Sequence, residues 1–288
     1  MTATVTPARR PSLAGDGLTL TGRALAHWRR EPGPLIGSLG FDILMVLMFA
    51  YLFGGALQVP GGGSYREFLM PGMFAMTMVF GISMTTMAVS ADLDRGVTDR
   101  LRSMPVSRLA PLLGRAAADL MFAVVTLAVM LGVGLAVGWR ARGDLGDTLA
   151  ALGLILLLRF ALVWVGIFLG LTVKGQSAVT AVQTLEFPLG FLSSAFVAPS
   201  TMPTWLGAVA EWNPLSATVG ATRELFGNPG WGGDSWVAAH HPLLAVLWPL
   251  VLVAVFLPLS LRRYRALSRL AGPRGRQRAA PGAPVTAR

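Results

Sequence analysis

Three ionisable residues stand where a lipid-facing side chain would be costly: Asp42 in "GFDILMVLMFA", Arg159 in "LILLLRFALVW" and Glu186 in "QTLEFPLGF". A charge at the centre of a membrane helix costs roughly 2.5–3.5 kcal/mol on insertion scales. Such residues therefore face one another or a polar pathway. Two chemistries fit them: a structural ion pair, with Arg159 between Glu186 and Asp42, or a relay that touches a substrate or a proton. Asp42 and Glu186 each fall about seven residues from the inner end of their segments, and Arg159 lies about 5 Å further along. A long side chain spans that gap, so Arg159 is expected to pair with Glu186 or Asp42.

A second charged cluster lies outside the apolar runs. "DLDRGVTDRLRSMPVSRLAPLLGR", residues 92–115, holds five arginines and three aspartates. Asp92 or Asp94 can cap a helix, and Pro105 ends one by disfavouring helix at Met104. Leu93, Val97, Leu101 and Met104 recur along one face, while Arg95, Asp99 and Arg102 recur on the other, with Arg95 and Asp99 spaced for an i,i+4 pair. A passive basic loop needs arginines, but it needs neither a cap, nor a proline stop, nor an apolar stripe. The segment is expected to be a short amphipathic helix that docks a soluble partner.

The elements that position these clusters follow from composition. The 288 residues are 53% hydrophobic and 13% charged, about half the charge of a soluble domain, and the mean hydropathy is +0.60. Six segments are long and apolar enough to cross a bilayer: about 35–56, 69–91, 116–138, 148–171, 178–198 and 241–261. The fifth is interrupted by Glu186 and Pro188. The arrangement predicts an all-α membrane protein with its transmembrane domain over 34–261.

Arginine distribution orients it. Nineteen Lys and Arg fall in the segments on the side of the termini, against Arg66, Arg140, Arg142 and Arg223 on the other, which places both termini and the 92–115 loop in the cytoplasm. Residues 1–17 and 262–288 read as disordered tails, the first without the apolar core of a cleavable signal peptide. Between the first tail and the first span, 18–33 can form an interfacial helix, with Leu18, Leu20, Leu25 and Trp28 toward lipid and Arg23, Arg29 and Arg30 toward headgroups. A frayed basic tail is the alternative.

Other chemistry is thin. There is no cysteine, and His27, His240 and His241 do not make a metal-ligand set, so no metal is expected. No catalytic arrangement stands out. The +10 net charge sits beside apolar runs, where it orients a membrane protein rather than binding nucleic acid. Gly134 with Gly138, and Gly166 with Gly170, have the spacing of close-packed membrane helices. Met73, Met76, Phe80 and Met84 on the second span offer adaptable apolar surface for a substrate, or else face lipid. Between spans five and six, "TMPTWLGAVAEWNPLSATVGATRELFGN" reads as a half-buried hairpin of short helices that turns at Asn213-Pro214. Trp205 and Trp212 would lie at the interface, with Arg223 on the second arm.

The 92–115 stretch resembles the cytoplasmic loop of ABC-2 type export permeases, especially the daunorubicin/doxorubicin resistance permease group. "YLFGGAL", "YREFLMPGMFAMTMVFG", "AVGWR" and "FLSSAFVAPSTMPTWLGAVAEWNPLSATVGATREL" are similar to that family in the same order, over roughly residues 30–261. The resemblance implies a six-span permease half in a bacterial plasma membrane. It implies that Asp94, Arg95, Gly96, Asp99, Arg100, Leu101, Arg102 and Pro105 form a coupling helix against a separately encoded ATP-binding subunit. That subunit would hold ATP and Mg, two permease halves would work together, and the outer hairpin would dip back into the bilayer. The family pattern often has Glu where this helix begins with Asp.

One independent feature agrees: the chain has no G-x-x-x-x-G-K-[ST] loop, so ATP-driven export of a lipophilic drug, antibiotic or lipid needs a second polypeptide. An ion-coupled secondary carrier using Asp42, Arg159 and Glu186 is the competing expectation, weakened by the absence of repeated halves.

Overall fold

The structure, a computed structural model, describes residues 22, 33–54, 59, 62–95, 110–173, 175–230, 233 and 235–270. Among them there are helices and no strand. Helix α1 (Gly33–Leu47) runs into a π-helical turn, Met48–Phe53. It is followed by α2 (Tyr65–Asp94), α3 (Ala110–Ala136), α4 (Leu145–Thr172) and α5 (Gln176–Phe191). A 3₁₀ turn, Pro199–Thr201, leads to the short helices α6 (Thr204–Trp212), α7 (Pro214–Leu225) and α8 (Trp236–Ala239), then to α9 (His241–Leu270).

Five of these are long and apolar enough to cross a membrane: Ile36–Phe53, Tyr65–Asp94, Ala110–Ala136, Leu145–Thr172 and His241–Leu267. Helix α5 is the exception. Its 16 residues span about 24 Å, short of a ~30 Å hydrocarbon core. It stops at Phe191, where Asn213 reaches back and its Nδ2 donates to the carbonyls of Leu189 (2.8 Å) and Leu192 (2.7 Å).

Local chemistry explains several boundaries. The Asp144 side chain accepts from the Asp147 N–H at 2.7 Å and starts α4. Asn213 caps α7 by accepting from the Leu215 N–H at 2.9 Å, with Pro214 in the first helical position. Gly227, at φ +65°, closes that arm.

The end of α2 departs from expectation. Asp92 and Asp94 both lie in the last turn of α2, beyond the expected end of the span, and the Arg95 N–H bonds back to Ala91 O and Leu93 O; the helix they were expected to cap lies outside the described residues. The apolar pattern of α2 carries the helix through them. Of the expected docking helix, Gly96, Asp99, Arg100, Leu101, Arg102 and Pro105 lie outside the described residues, as does nearly all of the expected interfacial helix 18–33.

Helix α2 is the hub, with Leu69, Met70, Met73, Phe74, Ala75 and Met76 all fully buried. It packs most closely on α4 through glycine. A Cβ at Gly166 would lie 2.7 Å from Thr85 Cβ, and one at Gly170 would lie 2.7 Å from Thr86 O, so both positions hold the backbones together. The Gly134–Gly138 spacing divides its roles. Gly134 packs against Met70 and Phe74, whereas Gly138 has open space around it and φ +97°, which makes it a turn residue after α3.

Candidate functional site

Helices α1 to α5 surround a cavity of about 460 Å³. Each supplies residues at its own helical spacing: Phe41 and Asp42 from α1, Phe80, Ser83 and Met84 from α2, Phe122 and Thr126 from α3, Arg159 from α4, and Glu186 and Phe187 from α5. All three intramembrane charges named from the sequence therefore meet at one site. Asp42 is 5% exposed, Arg159 3% and Glu186 4%.

Their pairing differs from the simplest expectation. The ion partner of Arg159 is Asp119, on α3, with Nη2 4.0 Å from Oδ2. Thr85 bridges the two: Arg159 Nη2 donates to Thr85 Oγ1 at 3.0 Å, and that hydroxyl donates to Asp119 Oδ2 at 2.6 Å. Arg159 Nη1 also donates to Met78 O at 3.3 Å. Asp119 holds a second guanidinium, Arg115, at 2.8 Å and one turn away. The guanidinium of Arg159 crosses α2 directly over Gly81, where a Cβ would stand 2.4 Å from Nη1.

Glu186 instead accepts the backbone N–H of Ser83 at 2.5 Å. Asp42 makes no hydrogen bond or ion pair with any described residue. The sequence reading missed Asp119 and Thr85. Asp119 is the tenth residue of α3 and is buried, at 3% exposure. The available signal was the i,i+4 spacing of Arg115 and Asp119 inside an apolar run.

Two of the four substrate-facing candidates, Phe80 and Met84, line the cavity. Met73 and Met76 do not reach it; both are fully enclosed in the helix-packing core. Phe41, Phe80 and Phe187, from three helices, meet as an aromatic cluster with centroids 5.1–5.8 Å apart. Of the docking-helix residues, Asp94 and Arg95 are placed at the end of α2, and the rest lie outside the described residues.

The segment between α5 and α9 forms a cap over the opposite end of the bundle. Trp205 and Trp212 are well exposed, at 71% and 53%. Arg223, by contrast, is fully buried. Its Nε donates to Phe68 O at 2.8 Å, and its Nη2 donates to Ser194 O at 2.8 Å and Ala195 O at 3.1 Å. The carbonyl of Phe68 belongs to the turn that precedes Pro71. Phe74, Trp139 and Phe226 pack edge to face beneath. Trp139 Nε1 donates to Asn228 Oδ1 at 2.8 Å. The cap is thus tied to α2 and to the loop after α3.

Five helices long and apolar enough to cross a bilayer, enclosing a cavity with buried charges and closed by a helical cap, define a polytopic membrane protein. Residues 17–226 match the model of the ABC-2 type transporter family, and the chain belongs to that family. It is 33% identical, over 90% of this chain and 89% of the relative, to the daunorubicin resistance ABC transporter permease protein DrrB1 of Streptomyces coeruleorubidus. It is 24% identical, over 72% of this chain and 75% of the relative, to a probable doxorubicin resistance ABC transporter permease protein DrrC of Mycobacterium tuberculosis. It is 27% identical, over 74% of each chain, to the putative transport permease ycf38 of Pyropia yezoensis.

Proposed function

We propose that this chain is the membrane subunit of an ATP-driven exporter that moves a lipophilic compound (drug, antibiotic or lipid) outward from the cytoplasm or inner leaflet. The observation that carries this reading is the 33% identity, across nine-tenths of the chain, to a relative named as a resistance permease. A membrane bundle without a phosphate-cradling loop must receive ATP energy from a separate ATP-binding subunit, which holds the nucleotide and Mg. Asp94, Arg95 and the segment from Gly96 to Pro105 are the surface that meets it. Two such permeases, identical or paralogous, make the pathway. The short helix α5 and the cap together form the sixth crossing, and both termini face the cytoplasm of a bacterial cell.

The test is affinity purification from native membranes in mild detergent. A co-purifying soluble protein with a phosphate-binding loop, lost in Arg100→Glu/Arg102→Glu, is the expected result. A chain that purifies alone and moves substrate on a proton gradient without ATP overturns the reading in favour of an ion-coupled carrier.

A further inference from the structure

Helix α9 is longer than a bilayer requires. Its candidate span, His241–Leu267, is 27 residues, about 40 Å at 1.5 Å per residue, against a hydrocarbon core of ~30 Å. One stripe of it is apolar and unburied: Leu243, Leu247, Val251 and Val255 are all exposed. The stripe keeps its helical spacing into Arg262 and Arg265, which are exposed as well. From Leu243 to Arg262 the rise is about 28 Å. The first charge on this face therefore comes one hydrocarbon thickness from its apolar start.

The other side of the same helix end is fixed to the bundle. Tyr264 is buried in one apolar cluster with Val89 of α2, Leu112 of α3 and Leu171 of α4. Ser260 Oγ donates to Trp164 O at 3.3 Å, and Arg263 Nε donates to Leu171 O at 3.3 Å. These contacts set the rotation of α9. Arg262 lies about 160° around the helix from Tyr264, which turns it toward lipid.

An apolar stripe that ends in two guanidiniums is complementary to a phospholipid. The acyl chain has Val251 and Val255 to lie on, and the phosphodiester has the arginines. A guanidinium offers paired donors to a phosphate and keeps its charge. From His241 to the last residue the sequence has no Asp or Glu, so nothing on α9 itself neutralises Arg262 and Arg265. That excess of charge favours an anionic headgroup over a zwitterionic one, which brings its own cation.

We propose that the inner end of α9 binds an anionic phospholipid, its phosphate held by Arg262 and Arg265 and its acyl chain along Val255 and Val251. The inference rests on the reading that this end of α9 faces the cytoplasm, and it goes beyond the export reading. Its test needs neither ATPase nor cargo, so the two readings fail separately.

The full chain, purified in detergent, is titrated with phosphatidylglycerol or with phosphatidylcholine of identical acyl chains, and bound lipid is counted by native mass spectrometry. Phosphatidylglycerol is expected to bind about tenfold tighter or more, the scale of two arginines beside an anionic headgroup. Arg262→Gln/Arg265→Gln removes that preference, and Arg262→Lys/Arg265→Lys keeps most of it. Arg274→Gln/Arg276→Gln, which takes the same charge from the carboxy-terminal tail, leaves it as in the parent. Equal binding of the two lipids to the parent chain overturns the proposal without any variant. So does a preference that survives Arg262→Gln/Arg265→Gln, or one that the tail variant loses equally, since net charge then explains it. Displacement of the lipid by inorganic phosphate at constant ionic strength overturns it too, by assigning the arginines to a free anion.

Discussion

The guanidinium carbon of Arg223 stands 3.5 Å from the centroid of the Phe68 ring, while its Nε bonds the carbonyl of that same residue at 2.8 Å. One side chain of the cap thus grips both the ring and the backbone of α2, 155 positions earlier in the chain. Its other hydrogen bonds go to Ser194 and Ala195, beyond α5. Three separate pieces of chain are fastened by a single cation with no carboxylate among its partners in the described residues.

Arg223→Ala leaves three buried carbonyls without a donor and should destabilise the protein by at least about 3 kcal/mol. Arg223→Lys keeps the charge but loses the planar fork, so it should recover only part of the loss. Thermal unfolding of the purified protein in detergent, compared across the three chains, checks this. A lysine variant as stable as the parent would show that charge alone suffices.

The Arg159–Thr85–Asp119 chain predicts a coupling that sequence spacing did not suggest. In a double-mutant cycle on stability, Arg159→Met and Asp119→Asn should interact by about 1–3 kcal/mol. Arg159→Met with Glu186→Gln should interact less, because Glu186 is held by the Ser83 amide. Thr85→Val should reproduce part of the Arg159–Asp119 loss, since it removes the bridging hydroxyl and conserves shape. A larger coupling to Glu186 than to Asp119 would contradict the geometry.

Helix glycines separate into two classes. A Cβ at Gly166 or Gly170 would collide with the backbone of α2, and no side-chain rotation relieves that. Gly166→Ala should therefore cost about 1–3 kcal/mol. Gly153 and Gly132 have nothing within 4 Å, and Ala there should be neutral or stabilising by up to about 1 kcal/mol from helix propensity. Unfolding midpoints of the four alanine variants decide whether close helix approach or mere small size matters.

Asn213 serves two helices at once, capping α7 with its oxygen and the end of α5 with its nitrogen. Asn213→Ala should cost about 1–2 kcal/mol for the lost N-cap alone. Asn213→Asp retains that cap but not the amide donor. Hydrogen exchange should then remain slow at the start of α7 in Asn213→Asp and quicken at the end of α5. Uniform exchange in both regions would sink the shared-cap account.

Much of this architecture was legible locally. The apolar segments stood out because a bilayer demands about twenty apolar residues per crossing. The turn at Asn213-Pro214 and the stop at Gly227 followed from cap chemistry that acts within a few residues. Local signals also competed. Asp92 and Asp94 look like N-caps, yet both also belong to the last turn of α2, which runs past the expected end of that span. At α5, apolar length suggested a full crossing, yet the helix stops where Asn213, some twenty residues away, bonds its last carbonyls.

The sequence by itself determined that the chain is a bundle of membrane helices, where its charged residues lie along them, and that Asp42, Arg159 and Glu186 must turn inward. Composition and period suffice for those statements because they concern each helix and its solvent. Only the tertiary structure decided which charges meet. Asp119, Glu186 and Asp42 all lie within reach of Arg159 by depth, and choosing among them depends on how the helices are rotated about one another. That rotation is set by the glycine contacts of α4 on α2 and by Gly81, which leaves room for the guanidinium. The contacts join residues some eighty positions apart, and no local pattern records them. They pair Arg159 with Asp119 and leave Asp42 unpaired in the cavity.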